Sequence, residues 1–342
     1  MRLFHEGLDR MLNGRTLNRT EARLMMDHIM TGEANPHQIS SFLTILRFRG
    51  ETVDELTGFA ESLRVHADHF DPGADVVDTC GTGGDGAATF NISTAVAILL
   101  SAAGVKVAKH GNRAVSSKSG SADALEALGI PVQASKEEAL LFLKKHHMCF
   151  LFAPQYHSSM KYAAAVRKDL GFRTVFNILG PLANPAGSQR QLIGVPDFRV
   201  AKKMAEAVQT LGTKRTMIVT GDGGLDELAI TGPSQALLIE DGKMKKLTID
   251  PIELGLSRGS LDDIQVGTPS ESAGLMLDVF HNRGNVSARN IVLLNGGAAF
   301  FVAGKAASIR DGIEIARVTL ASGRALTHLE ALRSKGQVLR HA

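Results

Sequence analysis

The 342-residue sequence contains no tryptophan, two tyrosines and two cysteines, Cys80 and Cys149. Two cysteines cannot form the disulfide framework of a small secreted domain, and they fit a protein of a reducing compartment. Neither of them stands in a pattern typical of zinc ligands, so we expect no zinc site. The chain is long enough for about two domains, each stabilised by an ordinary hydrophobic core.

An excess of charge of one sign is also missing. The 38 Lys and Arg residues against 35 Asp and Glu leave a net charge of +3, which argues against nucleic acid or an anionic membrane as a partner. The most apolar stretch, residues 95–105, is too short to span a bilayer. Residues 1–10 mix both charge signs and lack the apolar segment of a signal peptide. We therefore expect a cytoplasmic protein without membrane contact.

Glycine, in contrast, is abundant. The chain has 35 glycines among its 342 residues, more than the usual share of about 7%. The glycines follow no collagen period and form no low-complexity tract. Their number therefore predicts tight turns in which the backbone comes close to a ligand.

Hydrophobic periodicity divides the chain into two parts. Residues 1–70 follow the helical period, with helix starts indicated at Thr20 and at Asn35-Pro36. From residue 76 onwards, short apolar runs alternate with helical patterns, which predicts a mostly parallel sheet covered by helices. The predicted strands are residues 76–80, 104–108, 130–132, 148–152 and 216–220, followed by a more antiparallel pair at 236–240 and 245–248.

The second part of the chain also returns once to a helical pattern. Predicted helices occupy residues 94–103, 122–128, 136–147, 200–211, 273–280 and 308–322, and residues 160–182 are again helical. The sequence therefore predicts an α/β protein with a small all-helical domain and a larger α/β domain that has a central, mostly parallel sheet. We expect the helical domain to comprise residues 1–70, completed by approximately 158–187, and the α/β domain to comprise 71–157 and 188–342.

A glycine-rich motif follows the first predicted strand. Residues 78–86 read Asp-Thr-Cys-Gly-Thr-Gly-Gly-Asp-Gly, and Asn91 to Thr94 precede a helix. Backbone N–H groups of such a loop, together with a helix start, can bind phosphate. The glycine spacing also fits a dinucleotide-binding loop, but several residues separate it from the helix. Basic residues also stand where an acid for the ribose is expected. A phosphate site is therefore favoured over a dinucleotide site.

A basic, serine-rich motif follows the second predicted strand. Residues 109–123 read Lys-His-Gly-Asn-Arg-Ala-Val-Ser-Ser-Lys-Ser-Gly-Ser-Ala-Asp. Cations and hydroxyl groups on one loop can bind several phosphate oxygens. The alternative is a solvated basic loop with helix-capping serines. The position next to the glycine motif, at the carboxyl end of an adjacent strand, favours a second phosphate site.

A pair of acids, Asp226 and Glu227, follows the predicted strand 216–220. Vicinal carboxylates suit Mg²⁺, which takes one or two carboxylates together with phosphate oxygens and water. The alternative is a polar turn at the start of a helix. Together with two phosphate-binding loops, the pair indicates a substrate that is a magnesium-bound polyphosphate. His157, which follows a predicted strand, is a better candidate for a pocket residue than His28 or His66, which lie in predicted helices.

Taken together, these motifs resemble the anthranilate phosphoribosyltransferase family over nearly the whole chain. The resemblance is carried by residues 81–85, 91–94, 109–117, 171–185 and 225–227. It implies a helical domain joined by hinges to an α/β domain of the nucleoside phosphorylase/phosphoribosyltransferase type, and a homodimer formed through the helical domain. The implied reaction joins anthranilate to 5-phosphoribosyl 1-diphosphate (PRPP) and releases diphosphate.

The resemblance also implies site residues. Those expected to bind PRPP are Gly81, Gly84, Asp85, Thr89, Asn91, Ile92, Ser93, Thr94, Lys109, His110, Gly111, Asn112, Arg113, Ala114, Val115, Ser116, Ser117 and Ser121. Gly81, Asn112 and Arg167 are expected at anthranilate, with Arg167 on its carboxylate. Two Mg²⁺ ions per subunit are expected on Ser93, Asp226 and Glu227, with Glu227 between both ions. No residue is assigned as an acid or base, with His110 at most an accessory. Catalysis by charge stabilisation and positioning is expected, with inversion at the anomeric carbon.

Two other functions remain possible at this point. A pyrimidine nucleoside phosphorylase-like enzyme has this architecture and also attacks an anomeric carbon, but it has no use for an acidic pair around two metal ions. A non-catalytic relative of the fold that binds nucleic acid would use the basic loop for backbone phosphates. The nearly balanced net charge argues against that relative.

Overall fold

The computed structural model describes residues 2–114 and 118–339. Val115, Ser116 and Ser117, which are expected to bind PRPP, lie outside the described residues. The helices are α1 (Arg2–Leu12), α2 (Arg19–Met30), α3 (Pro36–Arg49), α4 (Val53–Val65), α5 (Ile92–Ala102), α6 (Ser121–Ala127), α7 (Lys136–His146), α8 (Ala153–Tyr156), α9 (Lys161–Leu170), α10 (Phe176–Leu179), α11 (Phe198–Leu211), α12 (Pro269–Phe280), α13 (Val286–Val302), α14 (Ile309–Ala321) and α15 (Arg324–Leu339).

The strands form one seven-stranded sheet in the order β3-β2-β1-β4-β5-β6-β7. Strands β1 to β5 are parallel, whereas β6 and β7 are antiparallel additions at one edge. Their bounds are β1 (Val77–Gly81), β2 (Val107–Gly111), β3 (Met148–Phe152), β4 (Arg190–Gly194), β5 (Arg215–Thr220), β6 (Ser234–Glu240) and β7 (Lys243–Ile249). The predicted α/β architecture with an N-terminal helical part is confirmed.

The strand order reverses at β1. The chain runs outward from β1 to β2 and β3, and it then crosses back to place β4 on the other side of β1. In open parallel sheets, ligands bind in the crevice at the carboxyl ends of the two strands where the order reverses. The topology therefore places the preferred ligand site at the ends of β1 and β4.

Alternate residues of the central strands face two different cores. Leu192 and Met217 lie in a core with α5, α13 and α15, whereas Ile193 and Ile218 lie in a core with α11 and α1 to α4. Side chains of a strand point alternately to the two faces of the sheet, which explains this division. The second core also contains buried apolar residues of α9 and α10. The segment 160–182 thus packs with the N-terminal helices.

Local hydrogen bonds define the starts of the first helices. The side chains of Asn35 and Gln38 form a reciprocal capping box before α3, with Pro36 at its first position. The prediction at Asn35-Pro36 is confirmed. The helix start predicted at Thr20 is wrong, because Asn18 caps α2 and accepts a hydrogen bond from the backbone N–H of Glu21.

Strand prediction is correct at some places and wrong at others. Residues 148–152 form β3 as predicted, whereas β2 begins at Val107 rather than at residue 104. Residues 130–132 form no strand; Ile130 and Val132 are buried without strand pairing, and Pro131 between them has no N–H to donate. Strand β4 was not predicted at all. It opens with Arg190 and Gln191, whose polar side chains hydrogen-bond to carbonyl groups of other segments rather than to solvent.

Helix α13 is another element that the sequence pattern hides. Its stretch Asn295-Gly296-Gly297 is typical of a turn, yet it lies in the middle of a buried helix. A Cβ atom on Gly297 would lie 2.5 Å from Cγ1 of Ile313 on α14. The glycines therefore permit a close helix–helix approach.

Within the described residues, no helix is long and apolar enough to cross a membrane.

Candidate active site

The three sequence motifs meet in one cavity of about 290 Å³ at the carboxyl ends of the parallel strands. The glycine motif after β1, the start of α5, the basic loop after β2 and the acids after β5 all line it. The lining residues predicted for PRPP or metal are Gly81, Gly84, Asp85, Thr89, Asn91, Ile92, Ser93, Lys109, His110, Gly111, Asn112, Arg113, Ala114, Ser121, Asp226 and Glu227. Thr94 is buried in α5 and does not line the cavity. Segments that are distant in sequence therefore form one binding surface.

The glycine motif packs directly against Asp226. The backbone N–H of Gly83 donates to Asp226 Oδ2 at 2.7 Å. A Cβ atom at Gly81 would overlap the same carboxylate, and Gly83 has a φ of +67°, which side chains rarely allow. Glycine is thus needed here for the close approach of two loops.

The acidic pair lies buried beside a third acid. Burial, followed by the neighbouring Asp85, raises the pKa of Asp226, and burial together with Asp226 raises that of Glu227. Glu227 Oε1 accepts the backbone N–H of Ser93 at 3.1 Å. Adjacent buried carboxylates that repel one another favour a bound cation. The oxygen donors present are those that Mg²⁺ prefers.

The protein alone does not complete a metal site. In the part of the chain that the structure describes, no group of three His, Cys, Asp or Glu side chains could hold a metal ion. A Mg²⁺ ion here would therefore need further oxygens from substrate or water, as is usual for this ion. The Ser93 hydroxyl is one further oxygen beside the pair, and it accepts a hydrogen bond from Lys109 Nζ at 3.3 Å.

Lys109 is almost fully buried between acidic groups. Its ammonium group also donates to the carbonyl of Thr79. Burial lowers the pKa of Lys109, whereas Asp78, Cys80 and Glu227 act in the opposite direction. The side chain thus places a positive charge at the base of the cavity, next to the acidic pair.

The basic loop is braced by hydrogen bonds within the site. Ser119 and Ser272 both donate to Oδ1 of Asn91, at 2.7 Å each. The guanidinium of Arg113 is paired with Asp123 and Glu126 of α6 and stands at the rim of the cavity. Asn91 therefore links the basic loop to α12. Ser119 is a serine of the basic motif that was not among the residues expected to bind PRPP, and it also lines the cavity.

A second cavity of about 470 Å³ adjoins the first. Gly81, Asn112 and Arg167, the residues predicted for anthranilate, all line it. The guanidinium carbon of Arg167 lies 5.1 Å from the centre of the Phe176 ring, and burial lowers the pKa of Arg167. Among residues 4–114 and 118–333, Arg167 has no ion-pair partner. Its charge is therefore available for a carboxylate ligand.

The two cavities are continuous along one wall. The residues that line both are Cys80, Gly81, His110, Gly111, Asn112 and Asn177. A molecule in the first cavity can therefore lie directly against a molecule in the second. This arrangement suits a transfer between two substrates.

Two neutral histidines stand in the wall of the second cavity. The ring centres of His110 and His157 are 5.2 Å apart. Burial, helped by His157, lowers the pKa of His110 to about 3, and burial lowers that of His157 as well. The Nε2 atoms of both rings are buried and have no hydrogen-bond partner within the described part of the chain. Each unpartnered Nε2 can therefore accept a hydrogen bond, and near neutral pH neither ring carries the second proton that would make it a charged acid. His157, the histidine predicted from the sequence as a pocket residue, lines this cavity.

Sequence reasoning missed two further lining residues, Arg173 and Asn177. Arg173 donates through Nη2 to the carbonyl of Thr82 at 2.8 Å, and Oδ1 of Asn177 accepts the backbone N–H of Thr174 at 3.0 Å. Both belong to residues 171–185, a stretch that was noted only for its resemblance. A cation and an amide inside a glycine- and proline-rich segment were the available signal.

Comparison with known families gives two matches. Residues 73–326 match the glycosyl transferase family, a/b domain, and residues 6–67 match the glycosyl transferase family, helical bundle domain.

Individual relatives of known sequence or structure match almost the whole chain. The anthranilate phosphoribosyltransferase of Halalkalibacterium halodurans is 54% identical over 98% of this chain and 98% of its own. The crystal structure of the Thermus thermophilus anthranilate phosphoribosyltransferase has a TM-score of 0.89 at 38% identity, covering 97% of this chain and 99% of that one. The Saccharomyces cerevisiae enzyme in complex with PRPP and Mg has a TM-score of 0.88 at 27% identity, covering 98% of both chains.

Proposed function

The chain belongs to the anthranilate phosphoribosyltransferase family, and we propose that its reaction is the one this family name describes. It transfers the 5-phosphoribosyl group from PRPP to the amino group of anthranilate, giving N-(5-phosphoribosyl)anthranilate and diphosphate in tryptophan biosynthesis. The observation that carries the proposal is the pair of adjoining cavities. One presents the glycine motif, the basic loop and acids, and the other presents Arg167, which has no ion-pair partner among residues 4–114 and 118–333.

The first cavity is proposed as the PRPP site. Backbone N–H groups of the glycine motif and hydroxyl and amide groups of the basic loop supply directional hydrogen bonds to phosphate oxygens. Lys109 adds a fixed positive charge, because its ammonium group is held by Thr79 and Ser93. The described residues predicted for PRPP therefore share one binding role, except Thr94, which is buried in α5 and does not line the cavity.

Magnesium is proposed as the cofactor, as two ions per subunit held by Ser93, Asp226 and Glu227. The fit rests on the raised pKa values of the two buried carboxyl groups, since a cation relieves the repulsion between them. When bound, Mg²⁺ neutralises negative charge on the diphosphate leaving group. Glu227 is proposed to face both ions, and Asp85, next to Asp226, adds negative charge to the same wall.

The second cavity is proposed as the anthranilate site. Arg167 pairs with the carboxylate, and Gly81 and Asn112 stand where this cavity meets the PRPP site. The amino group of anthranilate is uncharged near neutral pH, so positioning matters more than a strong base. The neutral state of His110 and His157 agrees with this, because they offer acceptor atoms without a charge. The amine then attacks the anomeric carbon opposite to the diphosphate, with inversion.

The arrangement of domains and subunits is also proposed. Buried residues of α9 and α10 share a core with α1 to α4, which supports residues 158–187 as the completion of a helical domain of residues 1–70. Leu12, Leu24 and Phe48, on α1 to α3, are 72%, 38% and 95% exposed. Such exposed apolar side chains support a homodimer through the helical domain. A cytoplasmic location is proposed for the enzyme.

The test is a fluorescence assay that follows the disappearance of anthranilate in the presence of PRPP, with and without Mg²⁺. We expect turnover that depends on both PRPP and Mg²⁺. Thymidine or uridine with phosphate should release no free base, and duplex DNA should not bind. Base release at a rate matching PRPP turnover, or submicromolar DNA binding without PRPP binding, would support the two alternative functions instead.

A further inference from the structure

Arg173 is a cationic side chain in the PRPP cavity that has no role in the proposal above. It lies in the connection between α9 and α10, on the helical side of the cleft. Its neighbours fix this connection, because Val175 and Phe176 are buried in the core of the N-terminal helices. The backbone N–H of Thr174 also donates to Asn177. The arginine therefore extends from a rigid base.

The guanidinium of Arg173 reaches across to the glycine motif. Nη2 donates to the carbonyl of Thr82 at 2.8 Å. Gly84 lies directly beneath the group, since a Cβ atom at this position would overlap the guanidinium, and its φ of +79° also favours glycine. The missing side chain of Gly84 thus creates the space that Arg173 occupies. This contact joins the helical side of the cleft to the phosphate-binding side.

The guanidinium also lies in the field of the acids. Burial lowers the pKa of Arg173, whereas Asp226 and Asp85 act to raise it. Arg47 of α3 is close enough to act in the same direction as burial. Arg173 is therefore a countercharge for the acidic wall of the cavity.

The other cations that line this cavity differ from Arg173. Lys109 is fixed by hydrogen bonds to Thr79 and Ser93, and Arg113 is paired with Asp123 and Glu126. Lys118 is exposed. In contrast, Arg173 has no ion pair within residues 4–114 and 118–333, and one hydrogen bond to a neutral carbonyl holds its guanidinium. Its remaining N–H groups are available to a ligand.

We propose that Arg173 is a further PRPP-binding residue, whose guanidinium passes from the carbonyl of Thr82 to the diphosphate of the bound substrate. This inference rests on the proposed function. The planar guanidinium matches phosphate oxygens with two parallel hydrogen bonds, which a lysine cannot provide. Because Arg173 comes from the helical side, the new contact draws that side of the cleft onto the substrate.

The test is calorimetric titration of the full-length protein with PRPP and excess Mg²⁺, without anthranilate, so that binding is measured apart from turnover. Arg173→Gln should raise the Kd for PRPP by about tenfold or more, the loss expected for a charge-assisted hydrogen bond. The Kd of Arg173→Lys for PRPP should lie between those of Arg173→Gln and wild type, because lysine keeps the positive charge but cannot form the two parallel hydrogen bonds of a guanidinium. Lys168→Gln, which removes an exposed cation from neighbouring α9, is the matched control and should leave the Kd unchanged.

A Kd for Arg173→Gln within about twofold of wild type overturns the inference, whatever the change in unfolding temperature. A lower unfolding temperature alone would assign the arginine a purely structural role. If Arg173→Gln does not fold, Arg173→Lys decides: a higher Kd supports the inference and an unchanged Kd overturns it. Failure of the wild-type protein to bind PRPP would instead contradict the proposed function itself.

Discussion

Asp226 and Glu227 are the residues where burial and charge are in strongest conflict. Two adjacent carboxyl groups lie in the protein interior, with Asp85 beside them and Lys109 opposite. Without a metal ion, such a pair destabilises the fold when both groups are ionised. On the proposed function, a cation bound between these carboxyl groups would offset this loss of stability.

This conflict predicts how stability depends on pH. In the folded state, the pKa values of Asp226 and Glu227 lie above their ordinary values of 3.8 and 4.5. At any pH between the ordinary and the raised pKa of a group, the folded state therefore holds more protons than the unfolded state. Stability of the metal-free protein should therefore fall as pH rises from about 4.5 to 8. The variant Asp226→Asn with Glu227→Gln should be more stable than wild type at pH 8, by about 1 kcal/mol or more, with a gap that closes near pH 4.5. Urea unfolding in EDTA measures both, and a less stable variant at pH 8 contradicts the assignment.

Arg167 gives a second prediction at this scale. Its guanidinium lines the second cavity and lies over the Phe176 ring. Arg167→Ala should raise the KM for anthranilate by about tenfold or more, since a charged hydrogen-bond partner is lost, and it should change the KM for PRPP much less. Steady-state kinetics with each substrate varied in turn decides this. A selective effect on PRPP would reject the assignment of the second cavity.

At the scale of elements, the sequence predicts best where one local pattern decides the structure. The apolar run of residues 148–152 is β3, and the alternation after residue 76 predicts the parallel sheet. Strand β4 was not predicted, because its first side chains, Arg190 and Gln191, are polar. They hydrogen-bond to carbonyl groups outside the strand, which no local sequence pattern reveals. Without β4, the reversal of strand order at β1 could not be derived. The cavity-lining residues proposed for PRPP and metal were predicted from motifs and resemblance, whereas Arg173 depends on a contact between segments far apart in sequence.

Helix α13 provides a prediction for the packing of elements. A Cβ atom at Gly297 would lie 2.5 Å from Ile313 Cγ1 and 2.9 Å from the carbonyl oxygen of Ile309. Gly297→Ala should therefore destabilise the protein by about 1–3 kcal/mol, despite the better helix propensity of alanine. The control is Gly274→Ala in α12, where no described atom outside the adjoining backbone of α12 itself lies within 4 Å of the added Cβ. That variant should be neutral or slightly stabilised. Equal unfolding temperatures for the two variants would contradict the close approach of α13 and α14.

At the scale of the whole molecule, the carboxyl ends of the parallel strands and one group of helices enclose two adjoining cavities. The carboxyl ends of the strands supply the glycine motif, the basic loop and the acids, and the segment from α9 to α10 supplies Arg167 and Arg173. The proposed reaction site is therefore formed by two parts of the molecule. Approach of these parts around the substrates would also exclude water, which would otherwise hydrolyse the activated ribosyl group.

The most direct test of this account is a crystal structure with PRPP, Mg²⁺ and benzoate, an acceptor analogue that lacks the amino group. The diphosphate should lie between the glycine motif and the basic loop, with Mg²⁺ on Asp226 and Glu227. The benzoate carboxylate should lie on Arg167, with its ring facing the anomeric carbon from the side opposite to the diphosphate. Benzoate bound away from Arg167, or PRPP bound outside the cavity that Asp226 lines, would contradict the account.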